Sequence, residues 1–102
     1  MSTVKDWLQQ LNNEKGSDLF VTAHAPPSIK VHGKIKPITT EALLPEEVNE
    51  IVRGIMTDRQ EREFEETAEC QFAISIENEA RFRVSAFVQQ SFTGMVCRRI
   101  ET

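Results

Sequence analysis

Long apolar runs are missing from this chain, and no stretch approaches the roughly 20 residues that a membrane-spanning helix requires. The start, Met1-Ser2-Thr3-Val4-Lys5-Asp6, also lacks the charged-then-apolar pattern of a secretory signal. Together these absences predict a cytosolic protein. Cysteine is scarce. Cys70 and Cys97 lie far apart, form no CxxC pair and have no histidine at metal-ligand spacing, so they read as reduced, buried apolar residues. A concentrated basic field is missing too: the net charge is −4, the pI is about 5.2, and the basic residues are interleaved with acids. Nucleic acid is therefore excluded as a partner, because its binding gains from clustered cations that displace counterions.

Catalytic signatures are equally absent. A P-loop needs Gly-x-x-x-x-Gly-Lys-[Ser/Thr], so that backbone amides wrap phosphates while the lysine and hydroxyl reach phosphate and magnesium. Gly33-Lys34 is the nearest fragment, but position 28 is Ser and position 35 is Ile. There is no GxSxG elbow, no HExxH and no local Cys–His pair. The two histidines, His24 and His32, sit beside turn residues with no visible partner and read as exposed polar side chains. The chain alone thus has no complete catalytic site.

What is present is a regular alternation of periodicities. At 102 residues, residues 1–102 form one domain. A chain of that size buries roughly two-thirds of its unfolded surface. Val4, Trp7, Leu8 and Leu11 mark a first helix, with a Thr3–Asp6 cap and a stop at Gly16. Leu19-Phe20-Val21 makes a strand, Pro26-Pro27 a rigid turn, and Ile29 with Val31 a second strand that turns at Gly33 into a third, Lys34 to Ile38. Pro45, with Glu46 and Glu47, opens a second helix carrying Val48, Ile51, Val52 and Ile55. Thr57 with Gln60 caps a third, in which Phe64 is the anchor and Arg59, Arg62, Glu63 and Glu66 form a solvated surface. Cys70, Phe72, Ile74 and Ile76 then alternate, Glu77-Asn78-Glu79 turns the chain, and Phe82, Val84, Ala86 and Val88 alternate again. Gln89 to Gly94 reads as a polar loop before a last strand through Met95, Val96 and Ile100. The order α-β-β-β-α-α-β-β-β predicts an α+β fold with a largely antiparallel sheet.

One cluster has chemical interest. Arg81 and Arg83 are two apart on a strand, so both leave one face while Phe82 and Val84 enter the core. Arg98 and Arg99 follow on the next strand, which is expected to pair with it. The hairpin's polar face could therefore present several guanidinium groups suited to phosphate or carboxylate. On spacing alone the simpler account is surface pairing with Glu77, Glu79 or Glu101. Phe87 shares the parity of Arg81 and Arg83, and with Phe92 is a candidate for contact with another domain or subunit.

Four segments taken in order resemble a known family. They are Gly16-Ser17-Asp18-Leu19-Phe20-Val21-Thr22, Pro26-Pro27-Ser28-Ile29-Lys30-Val31-His32-Gly33, Ala80-Arg81-Phe82-Arg83-Val84-Ser85-Ala86-Phe87 and Gly94-Met95-Val96-Cys97-Arg98-Arg99-Ile100. They resemble the start of the type IV pilus retraction ATPases of the PilT/PilU family. Phe20, where the PilT branch usually has His, and the Arg-Arg-Ile-Glu-Thr ending lean toward the PilU branch. The resemblance implies a PAS-like amino-terminal domain that precedes a RecA-like ATPase domain, the latter holding the Walker motifs, the catalytic glutamate, ATP and Mg2+. It implies a homo-hexamer at the cytoplasmic face of the inner membrane that drives twitching motility. Partners would be the RecA-like domains of the same and neighbouring subunits, a PilT-like motor and the pilus platform. It also raises the interest of the arginines, since amino-terminal arginines in this family approach the phosphates of bound nucleotide. Arg83 and Arg98 carry over first, then Arg81 and Arg99. A stand-alone PAS-like small-molecule sensor and a plain interaction module remain alternatives.

Overall fold

The structure, a computed structural model, describes residues 2–77 and 79–101. Among these, α1 (Ser2–Asn13) is followed by β1 (Asp18–Val21), β2 (Ser28–Val31) and β3 (Lys34–Pro37). Then come α2 (Pro45–Gly54), α3 (Asp58–Thr67), β4 (Glu69–Ile76), β5 (Ala80–Gln89) and β6 (Phe92–Ile100). The order is the predicted one. The strands form a six-stranded sheet in the order β3-β2-β1-β6-β5-β4, and every neighbouring pair is antiparallel.

Helix ends follow local chemistry, with some departures from expectation. In α3, Thr57 Oγ1 accepts from the Gln60 N–H at 3.2 Å while Gln60 Oε1 accepts from the Thr57 N–H at 2.9 Å, the reciprocal cap its spacing predicts. In α2, Pro45 takes the first turn and Glu47 Oε1 accepts from the Leu44 N–H at 2.8 Å. In α1, Thr3 already lies inside the helix and does not cap it. Its end differs as well: Lys15 takes the left-handed conformation (φ 56°), and Gly16 does not. Gly16 serves packing instead, because a Cβ there would lie 2.6 Å from Leu11 Cδ1 and 2.7 Å from the Lys30 carbonyl oxygen.

All three helices cover one face of the sheet. Val4, Trp7, Leu8 and Leu11 of α1, Val48 and Val52 of α2 and Phe64 of α3 pack on Leu19, Val21, Ile29, Cys70, Phe82, Val84, Met95 and Cys97. Each of these is buried, and fully burying one such side chain stabilises by about 1.5–3 kcal/mol. Arg53 ties α2 to α3, pairing with Glu61 at 3.2 Å and Glu65 at 2.8 Å while its guanidinium lies 5.3 Å from the Phe64 ring centroid. Cys70 and Cys97 are buried and unbridged, as expected. Burial pushes the Cys97 thiol up to about 12 from its ordinary 9.0.

The last third holds one correction. Gln89 to Gly94 is no polar loop. β5 runs to Gln89, β6 begins at Phe92, and Gln90 (φ 52°) and Ser91 (φ 73°) alone make the turn. Two successive positive φ values suit the twist of a tight hairpin, usually with Asn-Gly, so Gln-Ser hides the turn. At the β4–β5 turn the Glu79 N–H donates to the Ile76 carbonyl at 2.7 Å, and Asn78 lies outside the described residues.

Candidate functional site

The face of the sheet without helices carries the charged cluster. Along β5 and β6, Arg83 stands directly opposite Arg98, Arg81 opposite Ile100, and Phe82 opposite Arg99. Opposed residues share a face and successive ones alternate. Arg81, Arg83 and Arg98 therefore point to the open side, whereas Arg99 joins Phe82 on the helix side. The structure brings together three of the four arginines, not all four. Arg99 is held elsewhere: its side chain is 14% exposed, its Nε donates to the Gly16 carbonyl at 2.7 Å and an Nη donates to Glu101 at 3.1 Å.

Among the described residues, Arg99 alone of the four arginines pairs with one of the expected glutamates, Glu101. Glu77 is engaged by Lys5 at 3.2 Å and Glu79 by Gln9 at 3.3 Å. Among the described residues, Arg81 and Arg83 are exposed and have no ion pair. Arg98 Nε donates to Asp18 Oδ1 at 3.0 Å, yet its side chain remains 71% exposed while that of Asp18 is 6% exposed. Lys30 of β2 flanks Asp18 on its other side. A domain of net charge −4 thus gathers Arg81, Arg83, Arg98 and Lys30 on one face around Asp18, the one buried carboxylate among the described residues. Sequence reasoning passes over Asp18. Its only signal is a charged residue leading directly into the apolar strand Leu19-Phe20-Val21, and its pairing partner comes from a strand 80 residues away.

The aromatic candidates lie further along the same hairpin. The Phe87 ring packs against Gly94, where a Cβ would come within 2.8 Å of its Cε1. Phe92 is 39% exposed and stacks edge-on with His24 at 5.0 Å between ring centroids. Phe87, Phe92, Thr22 and Gly94 line a surface cavity of about 300 Å3. His24 and His32 are both exposed, in turns of positive φ (69° and 52°).

This chemistry suits phosphate oxygens, which accept from guanidinium forks. It does not suit Mg2+, which wants carboxylate and other oxygen ligands. Asp18 is already engaged by Arg98, and among the described residues no group of three or more His, Cys, Asp or Glu is placed to hold a metal. Nor does any described helix have the length and apolar character to cross a membrane.

Comparison with known proteins places the chain. No protein-family model matches it. It is 52% identical over 95 residues to the type IV pilus ATPase PilU of Pseudomonas aeruginosa, covering 93% of this chain and 25% of that protein. It is 39% identical over 84 residues to the type IV pilus retraction ATPase PilT of the same organism, covering 82% of this chain and 24% of that one. The chain therefore spans about a quarter of the length of these curated relatives. In three dimensions it matches a crystal structure of the pilus retraction motor PilT with bound ADP at a TM-score of 0.86 and 23% identity, over 97% of this chain and 29% of that one. It matches the ATPase DotB of Legionella pneumophila at 0.76 and 19%, over 93% and 27%. These structural likenesses establish the fold, and the sequence identity establishes descent: the chain belongs to the PilT/PilU family of type IV pilus retraction ATPases, stands nearer to PilU than to PilT, and corresponds to the family's amino-terminal domain.

Proposed function

We propose that this domain senses nucleotide for a type IV pilus retraction motor. In the full-length protein a RecA-like domain follows residues 1–102 and holds ATP and Mg2+. The present domain, PAS-like in the sense of its sheet and one-sided helices, brings Arg83 and Arg98 to the nucleotide phosphates, with Arg81 beside them. The observation that carries this reading is the open face itself: exposed guanidinium groups gathered on an otherwise acidic domain, two of them without an ion pair among the described residues. A mobile domain offering guanidinium to the terminal phosphate makes closure depend on nucleotide state and stabilises the charge that develops during hydrolysis. Arg99 is the weakest of the four candidates, because the Gly16 carbonyl and Glu101 already engage it.

In this reading Phe87 and Phe92 contribute to packing against the RecA-like domain of the same or a neighbouring subunit, within a cytoplasmic hexamer at the inner membrane. The motor powers twitching motility, acting with a PilT-like partner and the pilus platform. The sensor alternative finds less support, because the space between sheet and helices is filled by Leu8, Leu11, Phe64, Phe82 and Met95, each at most 1% exposed.

Arg83→Ala in the full-length protein tests the proposal. ATP hydrolysis should fall by at least about tenfold, since an arginine that stabilises a transferring phosphoryl group contributes up to about 10³–10⁵-fold. The melting temperature of the isolated domain should stay unchanged. Undiminished turnover in a folded variant would remove Arg83 from the reading.

A further inference from the structure

Asp18 lies on the open face yet is only 4% exposed, the one buried charged residue among those described. Burying a carboxylate is costly unless it is paired and hydrogen-bonded, so such a residue has to be held by a partner. The partner is Arg98, and the contact is made through Nε alone, at 3.0 Å. A guanidinium is planar, with five N–H donors in a fixed fork. A bond at Nε fixes that plane and leaves the terminal nitrogens for an acceptor outside the domain. The 71% exposure of the Arg98 side chain fits that presentation. Arg83 stands directly across the ladder with the same charge and no carboxylate of its own. Like charges directly opposed on a sheet repel, and Asp18 offsets that repulsion from beneath Arg98.

We infer that Asp18 is a positioning residue, whose buried carboxylate orients Arg98 so that its terminal nitrogens meet the nucleotide phosphate. The inference rests on the reading of Arg98 given above and adds the residue through which that arginine is held. It also makes a prediction of sign. A carboxylate near a phosphate site opposes the anion, so if charge alone mattered, neutralising Asp18 would assist nucleotide. If positioning matters, neutralising it weakens the reaction.

The test is steady-state ATP hydrolysis by the full-length protein carrying Asp18→Asn, Arg98→Ala or both. Asp18→Asn should lower kcat by about tenfold with little change in KM, the scale of one charge-assisted hydrogen bond lost. Arg98→Ala should lower it at least as far, and the double variant should be no slower than Arg98→Ala, because Asp18 acts through Arg98. Wild-type or faster turnover in Asp18→Asn overturns the inference while leaving the reading of Arg98 intact. Undiminished turnover in Arg98→Ala removes that reading and this inference with it. Should Asp18→Asn fail to fold, Arg98→Lys decides the matter, since lysine keeps the charge and lacks the Nε fork. Its kcat should fall as in Arg98→Ala, and full activity with lysine overturns the inference.

Discussion

Arg98 and Arg99 are neighbours in the chain and sit in different environments on opposite faces of β6. Arg98 faces the open side, 71% exposed and pinned at Nε by Asp18. Arg99 faces the helix side, 14% exposed and bonded to the Gly16 carbonyl, where it fastens the last strand to the turn after α1. The same contrast runs across the whole sheet. Phe82, Val84, Met95 and Cys97 build the core on one face, while Arg81, Arg83 and Arg98 occupy the other from the intervening positions. Strand parity thus separates the packed apolar face from the face that carries the exposed arginines. A substitution on the helix face should show in melting, and a substitution of Arg81 or Arg83, which have no ion pair among the described residues, should show in partner chemistry and not in melting.

Three experiments sharpen or break that division. The largest effect belongs to Phe82→Ala, which empties the middle of the core and should cost about 3–5 kcal/mol in urea unfolding. Arg83→Ala, one residue away on the open face, should stay within about 0.5 kcal/mol. Equal losses from the two would refute the division. Next comes pH. The folded protein holds the Cys97 thiol protonated up to about 12, against an ordinary 9.0, so the folded state binds the proton more tightly than the unfolded chain. Stability from this group is complete below pH 9.0 and is lost as pH rises toward 12. The full loss is about 4 kcal/mol on the linkage scale of 1.36 kcal/mol per unit. Cys97→Ala should flatten that alkaline limb relative to wild type, and an unchanged slope would put the cause elsewhere. The smallest effect is that of Arg99→Ala, about 1–3 kcal/mol, because it leaves the Gly16 carbonyl without its charged donor. It should lower the melting temperature more than Arg83→Ala does, since Arg83 is exposed and has no ion pair among the described residues, and the reverse order would break the division.

Much of this arrangement was legible in the chain. Thr57 with Gln60, and Pro45 with its acidic neighbours, are local signals with local causes, and the structure builds both helices from them. Alternation from Cys70 to Ile76 and from Phe82 to Ala86 marks strands because each buries one face, whereas Val88, which continues the pattern in sequence, is exposed near the hairpin end. What stayed hidden depends on contacts distant in sequence or on unusual turn residues. Gly16 looks like a helix stop until Lys30 and Val31 of β2 close against it. Gln90-Ser91 lacks the glycine that announces a tight turn, and Gly94 looks like loop until Phe87 is seen packed against it. Consecutive arginines on a strand must part to opposite faces, but which one stays with Arg83 follows only from the β5–β6 register. Asp18 gains its meaning from β6 arriving beside β1, a pairing no local pattern encodes.

A structure of the full-length protein with Mg2+ and a non-hydrolysable ATP analogue is the most direct test of what the open face meets. In at least one subunit a guanidinium of Arg83 or Arg98 should lie within hydrogen-bond distance of the terminal phosphate, with Arg98 still bonded to Asp18 and Arg99 still on the Gly16 carbonyl. Nucleotide held entirely by the second domain in every subunit, with the arginine face turned to solvent, would contradict it.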